Sequence, residues 1–414
     1  MFELAIIWDW IAFAVRWVHV ITAIAWIGSS FYFIALDLGL RRAEGMPAGA
    51  HGEEWQVHGG GFYHIQKYLV APERMPDHLT WFKWESYATW LSGAALLMIV
   101  YWVGAELFLI DRAKADLTVW QGILISAASL SIGWLVYDRL CKSSLGDRPT
   151  VLMLLLFVLL MVMGWGYNQI FTGRATMLHL GAFTATIMTA NVFFIIMPNQ
   201  EIVVKDLQEG RTPDPKYGKI AKLRSTHNNY LTLPVLFLML SNHYPLAFGT
   251  DNNWLIAGLV FLMGVTIRHY FNTLHARKGN PTWTWFATAI LFILVMWLST
   301  APMYQEPDES AEALEMTPRQ TMFASAEGFE DAANIVKGRC SMCHAREPFY
   351  EGIHRPPKGI LLENDHDIAT AARQIYLQSG LTHAMPPANV TFMAPEERVQ
   401  LVRWYRDAIA DHAG

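Results

Sequence analysis

The chain has 414 residues, of which 53% are hydrophobic and only 16% are charged, and its formal net charge is −5. Soluble globular proteins carry roughly 25% charged residues, so this composition excludes an ordinary soluble protein over the whole length. The mild charge, without any basic block, excludes nucleic acid as a partner. Apolar runs continue to about residue 303, and the polar sequence that follows predicts a second domain.

Eight apolar runs are each long enough to cross a bilayer core of about 30 Å, for which about 20 residues suffice. They lie at about 10–36, 83–103, 118–138, 150–171, 176–197, 230–248, 253–271 and 283–303. The start of the chain lacks the basic segment and the small-residue cleavage site of a signal peptide, so we expect the first run to be retained as a helix. Residues 1–303 are therefore predicted to form an all-α, polytopic membrane bundle of about eight transmembrane helices.

Basic residues are distributed unequally between the loops of this bundle. The first, third, fifth and seventh loops hold about 17 Lys and Arg residues when Lys83 and Arg268 at the adjoining helix ends are included, and the second, fourth and sixth loops hold 3. Basic loops remain on the cytoplasmic side of a membrane. Both termini are therefore predicted to lie outside.

The polar tail contains Cys340 and Cys343 followed directly by His344, which is the C-x-x-C-H signature of covalent haem attachment. Two thioethers anchor the porphyrin, and the histidine is the proximal iron ligand. Met385, in a Met-Pro-Pro loop, is the candidate for the second axial ligand. Met393 and Met342 are its rivals, and Met342 lies too close to the attachment point to reach the distal face.

Helices are expected at about 327–343, 365–379 and 395–410. Together with the Met-Pro-Pro loop they resemble a small class I cytochrome c, with residues 304–322 as a linker and 323–414 as the domain. The alternative for the cysteine pair is a redox dithiol. Haem is attached outside the bacterial inner membrane, which agrees with the periplasmic termini predicted from the loop charges.

Ionisable residues within membrane helices are costly and are usually functional. His19, with Arg16 one turn earlier, and His179 fall in the outer half of the bilayer, where they are candidates to hold one haem b, with Arg16 near a propionate. His227 and His269 fall at the inner ends of their helices, as ligands of a further haem or as substrate-binding groups. The alternative is that these histidines hydrogen-bond across helices and that Arg16 reaches the interface.

Two long inner loops, at about 37–82 and 198–229, are rich in polar side chains and do not resemble disordered tethers. Together they supply a set of groups able to bind an anion and accept a proton: His58, His64, Gln66, Lys67, Arg224, His227, Asn228 and Asn229. The alternative is that these side chains only order the loops.

Three segments carry a resemblance: Val15–Tyr32, Trp55–His64 and His227–Pro234. With the haem-binding tail, they resemble the bacterial membrane-bound urate oxidase (urate hydroxylase) family over essentially the whole chain. The first segment is also similar to a small membrane protoporphyrinogen oxidase family that binds haem b through such a histidine, which favours His19 as a ligand. The first resemblance implies oxidation of urate to 5-hydroxyisourate in purine degradation, without hydrogen peroxide.

On that basis the expected catalytic residues are His58, His64, Lys67, Arg224, His227 and Asn228, with a neutral histidine as the base. The expected cofactors are one covalent haem c and one or two haem b groups. Electrons are expected to pass to the fused haem and on to a soluble cytochrome c or a terminal oxidase. Two alternatives from other classes are a membrane-anchored cytochrome c electron carrier and a quinol-oxidising cytochrome.

Overall fold

The computed structural model describes residues 4–68, 72, 76–300 and 315–412 and is mostly helical. Within the described residues, the first part of the chain forms eleven α-helices, two of which are single turns. They are α1 (Leu4–Gly39), α2 (Trp84–Leu96), α3 (Ala105–Phe108), α4 (Val119–Lys142), α5 (Pro149–Ile170), α6 (Gly173–Ala190), α7 (Met197–Gln208), α8 (Pro215–Leu240), α9 (Pro245–Phe248), α10 (Asn253–His275) and α11 (Trp283–Thr300). π-helical segments at Leu97–Trp102 and Asn191–Ile196 extend α2 and join α6 to α7.

Within the described residues, six helices are long and apolar enough to cross a membrane. They are Ile6–Gly39, Val119–Lys142, Pro149–Ile170, Gly173–Gln208, Asn253–His275 and Trp283–Thr300. These six correspond to six of the eight predicted spans. The other two predicted spans, 83–103 and 230–248, also form helices but do not meet that criterion. One is the short α2 with its π-helical extension. The other is α8, whose apolar end is preceded by the polar run from Arg224 to Asn229.

The prediction of an all-α chain is wrong in one place, because the first inner loop contains a β-hairpin. β1 (Ala50–His58) pairs antiparallel with β2 (Gly61–Tyr68), and Trp55 lies opposite His64. Gly59 and Gly60 form the two-residue turn with φ angles of +59° and +79°. Only glycine adopts such angles readily at both positions of a hairpin turn, so this Gly-Gly pair fixes the register.

Local sequence signals explain where the long helices begin. Thr118 caps α4 by accepting from the Gln121 amide at 3.3 Å, and the Gln121 side chain accepts from the Thr118 amide at 2.9 Å. Such a capping box satisfies two amide groups that a helix leaves free. Small residues then let the helices pack closely, as where Gly133 of α4 meets the Phe183 ring of α6.

The bundle has two ends with different contacts. At one end, Ile110 forms a bridge with Phe171, and the C-terminal domain lies against the same loops through Arg319 and Glu106, 3.6 Å apart. At the opposite end, Lys219 lies 2.8 Å from Asp147. The second, fourth and sixth loops thus share one end with the C-terminal domain, and residues of all three loops line one cavity together with it.

The C-terminal domain consists of short helices around one apolar core. Its helices are α12 (Pro318–Ala324), α13 (Phe329–Arg339), α14 (Ser341–His344), α15 (Asp365–Thr370), α16 (Ala372–Ile375), a π-helical segment (Tyr376–Leu381) and α17 (Pro395–His412). Trp404 of α17 is 1% exposed and donates from Nε1 to the Phe323 carbonyl at 3.0 Å. Of the predicted linker, residues 304–314 lie outside the described residues, and α12 begins at Pro318.

Candidate functional site

A cluster of buried polar side chains lies at the end of the bundle away from the C-terminal domain, where α4, the Asn191 π-helical segment and α8 meet. Arg224 is 1% exposed, and its Nη2 donates to Asp138 Oδ1 at 2.6 Å. Its Nη1 donates to Asn191 Oδ1 at 3.1 Å, and its guanidinium carbon lies 5.0 Å from the centre of the Tyr137 ring. A buried arginine is tolerable only when paired in this way.

His227 belongs to the same network. Its Nδ1 lies 2.7 Å from the Tyr137 hydroxyl, and Asn191 donates to that hydroxyl at 3.0 Å and to Asn228 Oδ1 at 3.0 Å. Asn228 donates in turn to the Met188 carbonyl at 2.9 Å. His227 Nε2 is the exception, since it is buried and has no hydrogen-bond partner among the described residues. We call these six residues the polar cluster: Tyr137, Asp138, Asn191, Arg224, His227 and Asn228.

The structure therefore brings together three of the predicted catalytic residues, Arg224, His227 and Asn228. Sequence reasoning missed their partners Tyr137, Asp138 and Asn191. The sequence held a signal for Asn191, because it is an amide inside an apolar run. In the structure Asn191 begins a π-helical segment, a feature frequent at functional sites. No comparable signal marked Tyr137 and Asp138, which resemble the ordinary polar end of a membrane helix.

The other three predicted catalytic residues lie on the hairpin and make contacts of their own. His64 stacks on Trp55 with ring centres 4.1 Å apart, and its Nε2 lies 2.8 Å from Glu53 Oε2. Lys67 donates to Asp37 at 2.6 Å, and His58 is exposed beside the turn. None of these three has a recorded contact with the polar cluster in the part of the chain that is described.

The predicted membrane haem ligands are separate from one another. His19 Nδ1 lies 3.0 Å from the Thr89 carbonyl and 3.1 Å from Ser92 Oγ, which leaves Nε2 as the nitrogen available for a metal. Both nitrogens of His179 are bonded, to Ser126 Oγ at 2.8 Å and to the Ala175 carbonyl at 2.8 Å. For His179 to bind a haem iron through Nε2, it would have to lose its hydrogen bond with Ser126 Oγ.

The remaining two residues of that set lie at the periphery. His269 is exposed on α10, with its ring 6.2 Å from that of Trp283. Arg16 is exposed on α1 and lines a cavity beside the C-terminal domain. Within residues 4–68, 72, 76–300 and 315–412, no three His, Cys, Asp or Glu side chains converge as a metal site.

In the C-terminal domain, the residues of the C-x-x-C-H motif form one turn. Cys340 and Cys343 are free thiols, and burial raises the pKa of Cys340 to about 12. His344 Nδ1 lies 3.0 Å from the Ile360 carbonyl, which orients the ring and leaves Nε2 available. Burial lowers the pKa of His344, and this favours the neutral imidazole that binds a metal.

The structure also distinguishes the methionine candidates. Met385 is partly buried in its loop, where its amide donates to the Gln378 carbonyl at 2.8 Å and its carbonyl accepts from Arg398 at 2.9 Å. Met393 is 2% exposed and belongs to the apolar core of the domain. Met393 therefore has a packing role that Met385 lacks.

The comparison with protein families matches residues 5–299 to the urate oxidase N-terminal family. The chain belongs to this family. The match runs from α1 to α11, includes the whole polar cluster, and identifies this urate oxidase family member as a urate-related oxidoreductase. It stops before the C-terminal domain. No curated protein and no solved structure matched the chain.

Proposed function

We propose that this member of the urate oxidase N-terminal family oxidises urate with water to 5-hydroxyisourate, two protons and two electrons, in purine degradation, and that the polar cluster is its substrate site. The observation that carries the proposal is the buried Nε2 of His227, which has no partner among the described residues. Leaving a buried polar atom unpaired costs about 1–3 kcal/mol. A substrate N–H directed at Nε2 would remove that cost.

The cluster offers the groups that a planar urate anion requires. Arg224 is a cation, Asn191 and Asn228 are amides and Tyr137 is an aromatic ring. Because these four side chains bond to or stack on one another in the folded cluster, urate would pair with them by replacing contacts within it, and only His227 Nε2 is ready to accept as folded. The Asp138 carboxylate holds Arg224 in place at 2.6 Å. The positions of these groups are set by five side-chain hydrogen bonds within the cluster before any substrate arrives.

His227 serves as the base in this proposal. In the basic tautomer its Nδ1–H donates to the Tyr137 oxygen, which also accepts from Asn191 Nδ2 at 3.0 Å. Nε2 is then unprotonated and takes one ring proton from urate as the purine gives up two electrons to the acceptor. Water adds to the oxidised purine, and its second proton leaves to solvent. Tyr137 thus fixes the tautomer and orientation of the base.

The C-terminal residues fit a covalent c-type haem, because two free thiols precede a histidine whose Nδ1 is engaged and whose Nε2 is free. When bound, that haem supplies a one-electron acceptor that can pass electrons to a soluble cytochrome c or a terminal oxidase in place of oxygen. The chain is then a multi-pass protein of the bacterial inner membrane, with both termini periplasmic.

The polar cluster and the C-terminal domain lie at opposite ends of the bundle. Asp138 is 19 residues beyond Val119 on α4, which at 1.5 Å per residue is about 28 Å. That separation calls for a carrier in between, and His19, with its free Nε2, is the best-placed anchor for a haem b. Replacing His19 with Ala should stop electron delivery to the C-terminal domain while urate binding persists. Normal activity in that variant would refute the relay.

The function is tested by adding urate anaerobically to the purified full-length protein and recording reduced-minus-oxidised spectra. Reduction of a c-type α-band by urate, with 5-hydroxyisourate as product, supports the proposal. If dithionite reduces the band and urate does not, the protein is an electron carrier or acts on another donor, such as a quinol.

A further inference from the structure

A cleft separates the bundle from the C-terminal domain, and its basic lining is not used by the proposed reaction. A cavity of about 370 Å³ lies between α1, the α2–α3 segment and the C-terminal helices. A second cavity of about 780 Å³ adjoins it, because Glu106, Phe108, Arg174 and Lys358 line both. Volumes of this size are typical of small-molecule sites.

The smaller cavity is strongly cationic. Two carboxylates line it, Asp9 and Glu106, and Glu106 is already 3.6 Å from Arg319. Five basic side chains oppose them: Arg16, Arg174, Arg319, Lys358 and Arg373. Cations concentrated in a cleft with apolar walls attract anions.

Arg174 is the residue that most needs an explanation. It is 8% exposed, yet its Nε and Nη1 have no hydrogen-bond partner in the described chain. Its guanidinium carbon lies 4.7 Å from the centre of the Phe108 ring, which positions it but provides no acceptor. It also lies in the first turn of α6, where the helix dipole disfavours a cation. Among the described residues, no acceptor faces these two buried nitrogens.

The C-terminal domain brings further cations to the same place. Burial, together with the charges of Arg174 and Arg16, lowers the pKa of Lys358, so these groups repel one another across the cleft. Arg355 faces the larger cavity, and its Nε and Nη2 are also buried without partners in the described residues. An anion placed between the domains would replace this repulsion with attraction.

We propose that the cleft is a binding site for an organic carboxylate, held chiefly by Arg174 of α6 with Arg16 of α1 and Lys358 of the C-terminal domain. Arginine suits this role because Nε and an Nη group donate side by side to the two oxygens of one carboxylate. The bound carboxylate bridges the two domains. It has two chemical sources: a free organic acid, or the propionate of a haem carried by this chain.

The experiment uses the full-length protein in detergent and compares the wild type, Arg174→Gln and Arg403→Gln. Arg403 is exposed on α17 and does not line either cavity, so its variant controls for loss of one positive charge. The first measurement is calorimetric titration with citrate as the free carboxylate. The second is the midpoint potential of the protein's haem. Neither measurement needs urate, so failure here is distinguishable from failure of the proposed function.

For a free acid, we expect citrate to bind the wild type and Arg174→Gln to raise the dissociation constant roughly 10- to 100-fold, with little change in Arg403→Gln. For a propionate, we expect no citrate binding and a lower midpoint potential in Arg174→Gln alone, because removing a cation favours the oxidised iron. Citrate binding that is equally tight in Arg174→Gln overturns the proposal. So does the absence of both citrate binding and a potential change.

Discussion

Two buried arginines at opposite ends of the bundle show different relations to their surroundings. Arg224 is paired with Asp138 and Asn191 inside the polar cluster, whereas Arg174 lies beside the cleft with two nitrogens unpartnered among the described residues. The first arrangement is complete as folded except at His227 Nε2. The second is incomplete without an anion. A satisfied network fixes geometry for a reaction, and an unsatisfied cation marks a place for a ligand.

The largest expected effect is on the reaction at the polar cluster. His227→Ala removes the proposed base, and we expect urate-dependent reduction to slow by about 10²- to 10⁴-fold. His78→Ala, at an exposed histidine outside the cluster, is the control. Stopped-flow reduction of the haem band by urate is the measurement. A rate within twofold of the wild type would show that His227 is not the base.

The second-largest expected effect is on thermal stability, which should distinguish Arg224 from Arg174. Arg224→Ala leaves the buried Asp138 carboxylate facing the vacated space, which typically costs about 3–5 kcal/mol. Lys142→Ala removes the other cation near Asp138, at 2.7 Å, but Lys142 is 59% exposed, so a change below about 1 kcal/mol is expected. Thermal unfolding in detergent measures both. Equal losses in the two variants would contradict the claim that Arg224 is the partner that matters.

Arg174→Gln should behave in the opposite way. If the cleft takes a free acid, the guanidinium of the citrate-free wild type has two unpartnered nitrogens among the described residues, and removing its charge is expected to leave the protein unchanged within about 1 kcal/mol or to stabilise it; if it holds a haem propionate, the variant is expected to lose stability together with midpoint potential. The same unfolding experiment, run without citrate, tests this. A loss comparable to that of Arg224→Ala, with the midpoint potential unchanged, would mean that the fold itself satisfies Arg174.

The smallest expected effect concerns a solvent-facing pair, Arg339 and Glu397, in the C-terminal domain. Burial opposes ionisation of Glu397, but hydrogen bonds from Arg339 and the Ala394 amide outweigh it, so the folded-state pKa of this carboxyl is lowered. Its contribution to stability is therefore present above the unfolded pKa of about 4.3 and lost as the pH falls through the folded value.

Glu397→Gln should remove that acid-dependent part, at a cost below about 1 kcal/mol near neutral pH. Urea unfolding of the wild type and the variant between pH 3 and pH 7 measures it. If the free energies of unfolding of the wild type and the variant differ by the same amount at every pH from 3 to 7, the pair does not have the assigned role.

The sequence predicted the apolar framework well, because long apolar runs are a strong and local signal. The runs predicted at 118–138, 150–171 and 253–271 correspond to α4, α5 and α10 with ends shifted by a few residues. The start of α8 was missed although Asp214 and Pro215 mark it, as an N-cap followed by proline in the first turn. The hairpin was missed although Gly59 and Gly60 signal its turn.

The sites were only half predictable, for a physical reason. Arg224, His227 and Asn228 adjoin one another in the chain, so composition alone grouped them. Their partners come from α4 and the Asn191 segment, and pairing between distant helices leaves no mark in a single sequence. The cleft lies between two domains, and its cations come from distant parts of the chain. Their proximity could therefore not be predicted from a single sequence.

In the proposed function, urate reacts at the polar cluster and its electrons pass to the C-terminal domain. The most direct test is an anaerobic titration of the full-length protein with urate as the only reductant, followed at the c-type α-band, in the wild type and in His227→Ala. We predict full reduction of the wild-type band with formation of 5-hydroxyisourate, and greatly slowed reduction in the variant. A wild-type band that dithionite reduces and urate leaves unchanged would contradict the account.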